Sequence, residues 1–218
     1  MSARRIPRQR RSVSGLFWSL KNGGQHIPYE SGLELDFCTI LELDDSVAKF
    51  ESQPLAVTYV RKSGRICRGF PDFLVTYADS TGRAVELVDV KCREELRERW
   101  AHLKPRLRAA CGYARSRGWL FRLKTETEIR TIFLRNAKYL LRYMRDGANP
   151  QHEARFVTTL GNVGAPTIGR LLEAAYPRIG DRADAIPTLW NLVARRIIGV
   201  DLHAELLMSS PIHVPGPP

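Results

Sequence analysis

The chain has 218 residues and no apolar run approaching the ~20 residues of a membrane span, nor a hydrophobic core behind its N-terminal arginines of the kind a signal peptide needs. A soluble, cytoplasmic protein is expected, with no membrane partner. Its four cysteines, Cys38, Cys67, Cys92 and Cys111, show no Cys-x-x-Cys spacing, and its five histidines form no ligand pair at helical spacing. That argues against a zinc site or a disulfide framework and for isolated thiols in a reducing compartment. A Gly-rich phosphate loop, a hydrolase serine elbow and internal repeats are also missing. Acids are in short supply: Asp+Glu number 23 against 34 Lys+Arg, giving a net charge of +11 and a pI near 9.9. Such a field attracts phosphates. Residues 1–12 carry Arg4, Arg5, Arg8, Arg10 and Arg11 and no acid, so residues 1–15 are predicted to form a flexible basic arm, with DNA as its natural contact.

What is present is a candidate active site. Arg65 to Tyr77 and the Val/Leu-rich run Ala84 to Lys91 are separated by the turn formers Asp79, Ser80, Thr81 and Gly82, a β-hairpin pattern. Along the second strand Leu87, Asp89 and Lys91 share one face and Val88 and Val90 the other. Asp72 opens the preceding strand and returns to the level of Asp89 and Lys91. Two carboxylates and an amine suit phosphodiester cleavage. Hard Mg²⁺ held by one or two carboxylates offsets the charge of the phosphate and of the leaving oxygen, and Lys91 either handles the attacking water or stabilises the developing charge. The spacing alone leaves that choice open, and Asp-x-Lys can also be a solvated ion pair.

Upstream, Leu33, Phe37, Ile40 and Leu41 lie at helical spacing. Ser31 and Glu34 form a capping-box arrangement at the start of that helix, yet Glu34 also borders the buried stripe and can reach a cleft over the sheet. Both roles stay open. Arg61, Lys62, Arg65 and Arg68 could line the DNA side, and Lys104, Arg106 and Arg108 likewise; each set also reads as a solvated face.

Taken in order, Ser31-x-x-Glu34, Glu51-x-Gln53-Pro54, Pro71-Asp72-Phe73 and Asp89-x-Lys91 resemble the N-terminal catalytic domain of TnsA-type endonucleases, the nuclease subunits of Tn7-like heteromeric transposases. The resemblance implies an α/β, restriction-endonuclease-like mixed sheet flanked by helices. It implies Glu34, Asp72 and Asp89 as the acidic metal-binding set, Lys91 as the catalytic lysine, and Mg²⁺ as cofactor with Mn²⁺ as substitute. It further implies double-stranded DNA as substrate, cut at transposon ends on the non-transferred strand, with a TnsB-like transposase and a TnsC-like ATPase as partners. Members can carry Gln at the position of Asp89. Gln53 matches the pattern and reads as a buried amide tying two loops. A stand-alone restriction or repair nuclease, and a non-catalytic DNA-binding assembly factor, are the alternatives.

The nuclease domain is predicted over residues 16–124, with a helix from about Glu94 to Arg117 kinked or divided by Pro105 and a last strand at Trp119 to Leu123. Residues 125–208 should form a small helical domain. Its predicted helices are Ile129 to Arg145, Glu153 to Leu160 broken by Gly161 and Gly164, Thr167 to Tyr176 started by Pro166, and one that follows Gly180 and Asp181 and runs through Pro187 to Arg196. A hairpin over Val200 to Met208 would complete a winged helix, with Arg195 and Arg196 on the DNA-facing helix. A docking module is the alternative. The Pro-rich tail 209–218 is expected to be disordered.

Overall fold

The computed structural model describes residues 13–163 and 167–213, and the chain divides into two compact units, residues 1–130 and 131–218. The arginines of the predicted arm, Gly164, Pro166 and residues 214–218 of the predicted tail lie outside the described residues. Among those described, no helix is long and apolar enough to cross a membrane.

The first unit opens with an antiparallel hairpin, β1 (Gly15–Ser19) and β2 (Gln25–Tyr29). Gly23 and Gly24, both at positive φ, turn the chain between them at a backbone conformation that a side chain would strain. Helix α1 (Gly32–Leu43) follows, with Leu33, Phe37 and Leu41 buried and Ile40 half-buried. Its buried Glu42 accepts hydrogen bonds from Ser19 Oγ (2.7 Å) and from the backbone of Leu20 (2.8 Å) and Lys21 (3.2 Å), pinning the hairpin turn to the helix. Then come β3 (Val47–Ser52), the hairpin β4 (Val57–Val60) and β5 (Ile66–Gly69), β6 (Phe73–Tyr77), β7 (Glu86–Val90), α2 (Arg93–Ser116), β8 (Leu120–Lys124) and the single-turn α3 (Glu126–Ile129).

The central sheet has the order β3-β6-β7-β8, with β7 and β8 parallel and the other pairs antiparallel. Helix α2 is the crossover that lets β8 run parallel to β7. The predicted alternation along β7 holds: Leu87 packs with Val57, Ala110 and Ala114 on the α2 side. Val88 lies opposite Phe73, whose ring meets Phe37 of α1 edge-on at 5.4 Å. The sheet is thus a layer between α1 and α2 with apolar contacts on both faces, the condition for burying all five residues of β7.

The strand predicted to open at Asp72 starts one residue later, at Phe73, and Ile66–Gly69 before it pair with β4 in a separate two-stranded sheet. Pro71 has no N–H for a ladder, which makes this the natural place to change sheets. Helix α2 runs through Pro105 without dividing. The carbonyl that proline leaves free belongs to exposed Ala101, where water can satisfy it, while Leu103, Leu107, Ala110 and Ala114 hold the buried stripe on both sides.

The second unit comprises α4 (Ile132–Asp146), α5 (Pro150–Val163), α6 (Ile168–Ala175) and α7 (Arg182–Ala194). The predicted helix from Ile129 starts later, because Ile129 ends α3 and Thr131 is the N-cap of α4. Gly161 does not break α5, and Pro150 supplies its first turn, where a missing N–H costs nothing. Phe156, Leu171, Leu189 and Leu192 are fully buried, and Tyr139 of α4 meets Trp190 of α7 edge-on at 5.3 Å. The predicted hairpin over Val200 to Met208 does not form. Turns fill this stretch, and Asn136 Nδ2 holds the carbonyls of Leu202 (2.9 Å) and Ala204 (2.7 Å) instead. The first part of the tail predicted to be disordered is tied down: Ile168 N–H donates to Ser210 O, and Gly199 and His213 exchange backbone hydrogen bonds.

Candidate active site

The end of β7 and the residues just before β6 meet at one cleft because the β6–β7 register sets Phe73 opposite Val88. Asp72, one residue before β6, therefore comes level with Asp89 to Lys91. Its Oδ2 accepts the backbone N–H of Val90 at 2.7 Å and the ammonium of Lys91 at 3.0 Å. Its carbonyl accepts the N–H of Gln53 at 2.8 Å, which ties the end of β3 to the site. Gln53 was expected to tie two loops through its side chain. The backbone does this, at a positive φ of 45°, and the buried amide oxygen, on the cleft wall, has no hydrogen-bond partner.

Asp89 is completely buried. Arg106 of α2 stands beside it as an ion pair, Nη2 to Oδ1 2.8 Å, and leaves the buried Oδ2 with no hydrogen-bond donor. Burial, and next the like charge of Asp72, push the Asp89 carboxyl up to about 7, with Arg106 and Lys91 opposing. Arg106 is itself fixed. Its Nη1 donates to Phe70 O at 2.9 Å, and its stem passes so close to Gly69 that a Cβ there would lie 2.6 Å from its Cγ. For Lys91, burial works against the charge but Asp72 and Asp89 outweigh it, and the ammonium holds its proton more tightly than a free lysine.

Glu34 forms the cap that its spacing predicts and is not among the residues that line the cleft. Its Oε2 accepts the N–H of Glu30 (2.8 Å) and its Oε1 the hydroxyl of Ser31 (3.0 Å), while Ser31 Oγ accepts the N–H of Glu34 (3.1 Å). The same carboxyl is raised to about 7, by burial first and then by Asp72, so it also sits in the field of the site. The cleft, of about 310 Å³, is lined by Asp72, Lys91, Gln53, Tyr59, Arg68 and Arg106 among others.

Among the described residues no three His, Cys, Asp or Glu side chains gather as a ready metal cage. Mg²⁺ does not require one, since one or two carboxylates suffice when water and phosphate complete the shell. Asp89, buried with its Oδ2 accepting no hydrogen bond, beside the second carboxylate of Asp72, fits such an ion.

Of the predicted DNA-facing residues, Arg61, Lys62, Arg65 and Arg68 are exposed on the β4–β5 hairpin, and Arg68 reaches the cleft. Arg195 donates to both oxygens of Glu153 (3.0 Å), and Arg196 follows α7 at a positive φ. Residues 188–194 of that helix are all buried within their own unit, so α7 is a core helix there rather than one laid in a groove. Arg106 is the site residue the sequence left among the ambiguous cations. The signal was its position beside the apolar stripe Leu103, Leu107, Ala110, on the helix that follows Asp89-x-Lys91.

A mixed four-stranded sheet between helices, with two carboxylates and a lysine at the ends of neighbouring strands, defines a restriction-endonuclease-like α/β domain. Residues 44–126 match the family model described as TnsA-like endonuclease N terminal. Over that segment, which holds Asp72, Asp89, Lys91 and Arg106 but not Glu34, the chain is similar to a TnsA-like endonuclease, as its motifs imply. No curated protein matches the chain.

Proposed function

We propose that this chain is the metal-dependent DNA endonuclease subunit of a Tn7-like transposase, cutting double-stranded transposon ends on the non-transferred strand beside a TnsB-like transposase and a TnsC-like ATPase. Its place of action would be the nucleoid. The observation that carries this reading is the meeting of Asp72 and Lys91 at one cleft, with buried Asp89 beside them, inside the segment that resembles the family.

Asp72 and Asp89 would hold Mg²⁺, with Mn²⁺ as a substitute and Glu34 as a third acid at the border. The bound ion supplies Lewis-acid stabilisation of the phosphate and a more acidic water. Lys91, kept protonated by the two aspartates, acts as a fixed cation for the charge that grows on the phosphate oxygens, rather than as the base. The Val90 N–H and the Lys91 ammonium orient Asp72, and Arg106 keeps a counter-charge on buried Asp89.

Nicking of supercoiled plasmid carrying transposon ends, with and without Mg²⁺, tests this. Asp72→Asn and Lys91→Met should each lose on the order of 100-fold or more in cleavage, and Lys91→Met should still bind Mn²⁺ in a titration. Glu34→Gln keeps the cap acceptor and removes the charge, so lost cleavage with an unchanged melt assigns Glu34 to the metal. Equal cleavage by the wild type and by Asp72→Asn, each free of contaminating nuclease, overturns the assignment.

A further inference from the structure

The acids of the first unit are unevenly spread. Between Glu51 and Asp72 there is no acid and there are four cations; between Glu98 and Glu126 there is again no acid and there are eight. The fold brings these two segments together, because the first contains the β4–β5 hairpin and the second most of α2, and Val57 of β4 packs on Ala110 and Ala114. Between the hairpin tip and the helix lies an open groove of about 530 Å³, whose walls include Val60, Arg61 and Lys62 on one side and Trp100, Lys104 and Arg108 on the other.

Several exposed cations elsewhere on this unit are neutralised locally. Lys49 pairs with Glu51 at 2.8 Å, Arg99 with Glu95 at 2.9 Å, Arg130 with Asp36 at 3.0 Å, and Arg122 with Glu86 at 3.3 Å. Among the described residues none of the groove's four cations pairs with a carboxylate. Four uncompensated charges along one groove cost repulsion, which an anionic ligand relieves. Trp100 stays 45 % exposed and Val60 57 %, leaving apolar surface between the charges that a sugar can cover.

The groove also shares its walls with the catalytic cleft. Tyr59 and Arg68 of the hairpin and His102 and Arg106 of α2 line the cleft, while their neighbours along the same two elements line the groove. We infer that this groove grips the sugar-phosphate backbone of duplex DNA to one side of the phosphate presented to Asp72 and Lys91, with Arg61, Lys62, Lys104 and Arg108 as phosphate contacts. This rests on the nuclease reading for the position of the cut but not for the binding itself.

The test is fluorescence anisotropy of a labelled duplex oligonucleotide on the full chain, in chelator, over a salt series, with Lys104→Ala/Arg108→Ala compared with Lys49→Ala/Arg83→Ala. The two double variants change net charge equally, and the second removes cations already held by Glu51 and Glu86. The groove variant should lose on the order of tenfold in affinity, and its log K against log salt should be shallower by about 1 to 2, near 0.9 per lost contact. The control should stay close to wild type, and both should melt like wild type. A groove variant with wild-type affinity and slope overturns the inference, as does equal weakening by the control pair. A wild type that binds through the groove yet cuts nothing with any divalent ion supports the groove and overturns the nuclease reading; normal cutting with no groove effect does the reverse.

Discussion

At the scale of single residues, Asp89 carries the main electrostatic cost of the site. Its carboxyl titrates near 7 when folded and near 4 when unfolded. Between those values the folded chain binds a proton that the unfolded chain has released, so stability falls as pH rises from about 4 to 7 and the loss is complete above 7. Glu34, shifted in the same direction, adds to the slope. In metal-free buffer Asp89→Asn should therefore match wild type near pH 4 and exceed it at pH 8 by a margin on the order of a few kcal/mol. Thermal melts across that range check this, and a difference independent of pH would mean that the cost at Asp89 is not ionic. Much of this site was legible. Asp72, Asp89 and Lys91 follow from the two-residue period of a strand and the position of one turn. The position of Arg106 beside Asp89 does not, because it depends on how α2 is set down across the sheet.

At the scale of elements, the β4–β5 hairpin and α2 close the site from one side, and Gly69 is where they touch. A methyl group there would meet Arg106 Cγ at 2.6 Å and Cδ at 2.7 Å, and Arg106 is held by both Phe70 O and Asp89. Gly69→Ala should cost about 1 to 3 kcal/mol, since the arginine cannot give way without leaving its partners. Gly32, in the first turn of α1, has open space where its Cβ would be, so Gly32→Ala should be neutral or stabilise by up to about 1 kcal/mol. Denaturant melts of the pair should move in opposite directions, and equal small effects would show that Arg106 is mobile. The element boundaries explain where pattern reading failed. The start of the strand after Asp72 was legible, but nothing in the periodicity of Ile66–Gly69 says that it joins a different sheet. Only Phe70-Pro71 marks the change. Pro105 does not divide α2, because the buried stripe Leu103, Leu107, Ala110 outweighs one lost backbone hydrogen bond.

At the scale of the molecule, the unit 131–218 has a core of its own in Phe156, Leu171, Leu189 and Leu192. Expressed alone, it should give a helical circular dichroism spectrum and a cooperative melt. A fragment that aggregates or melts without cooperativity would show that it needs the first unit. The turns after Gly199 replace the predicted wing, and the burial of residues 188–194 places α7 in the core. Its helices were readable from their apolar period, but which of them is central was not. Period identifies a buried stripe, whereas a helix buried on nearly all sides, as α7 is over its last two turns, is set by how many neighbours surround it.

The sequence by itself determined which acids and which lysine come together, which strand face carries Asp89 and Lys91, and that the charge favours an anionic partner. These follow from short-range rules, the alternation of a strand and the cap of a helix, which act within a few residues. Tertiary structure alone decided that Asp89 is fully buried, that Arg106 answers its charge, that Glu34 caps its helix within the field of Asp72, and that two acid-free segments far apart in the chain form one groove. Each of these depends on contacts across tens of residues, and the burial they create sets the strength of every charge in the site.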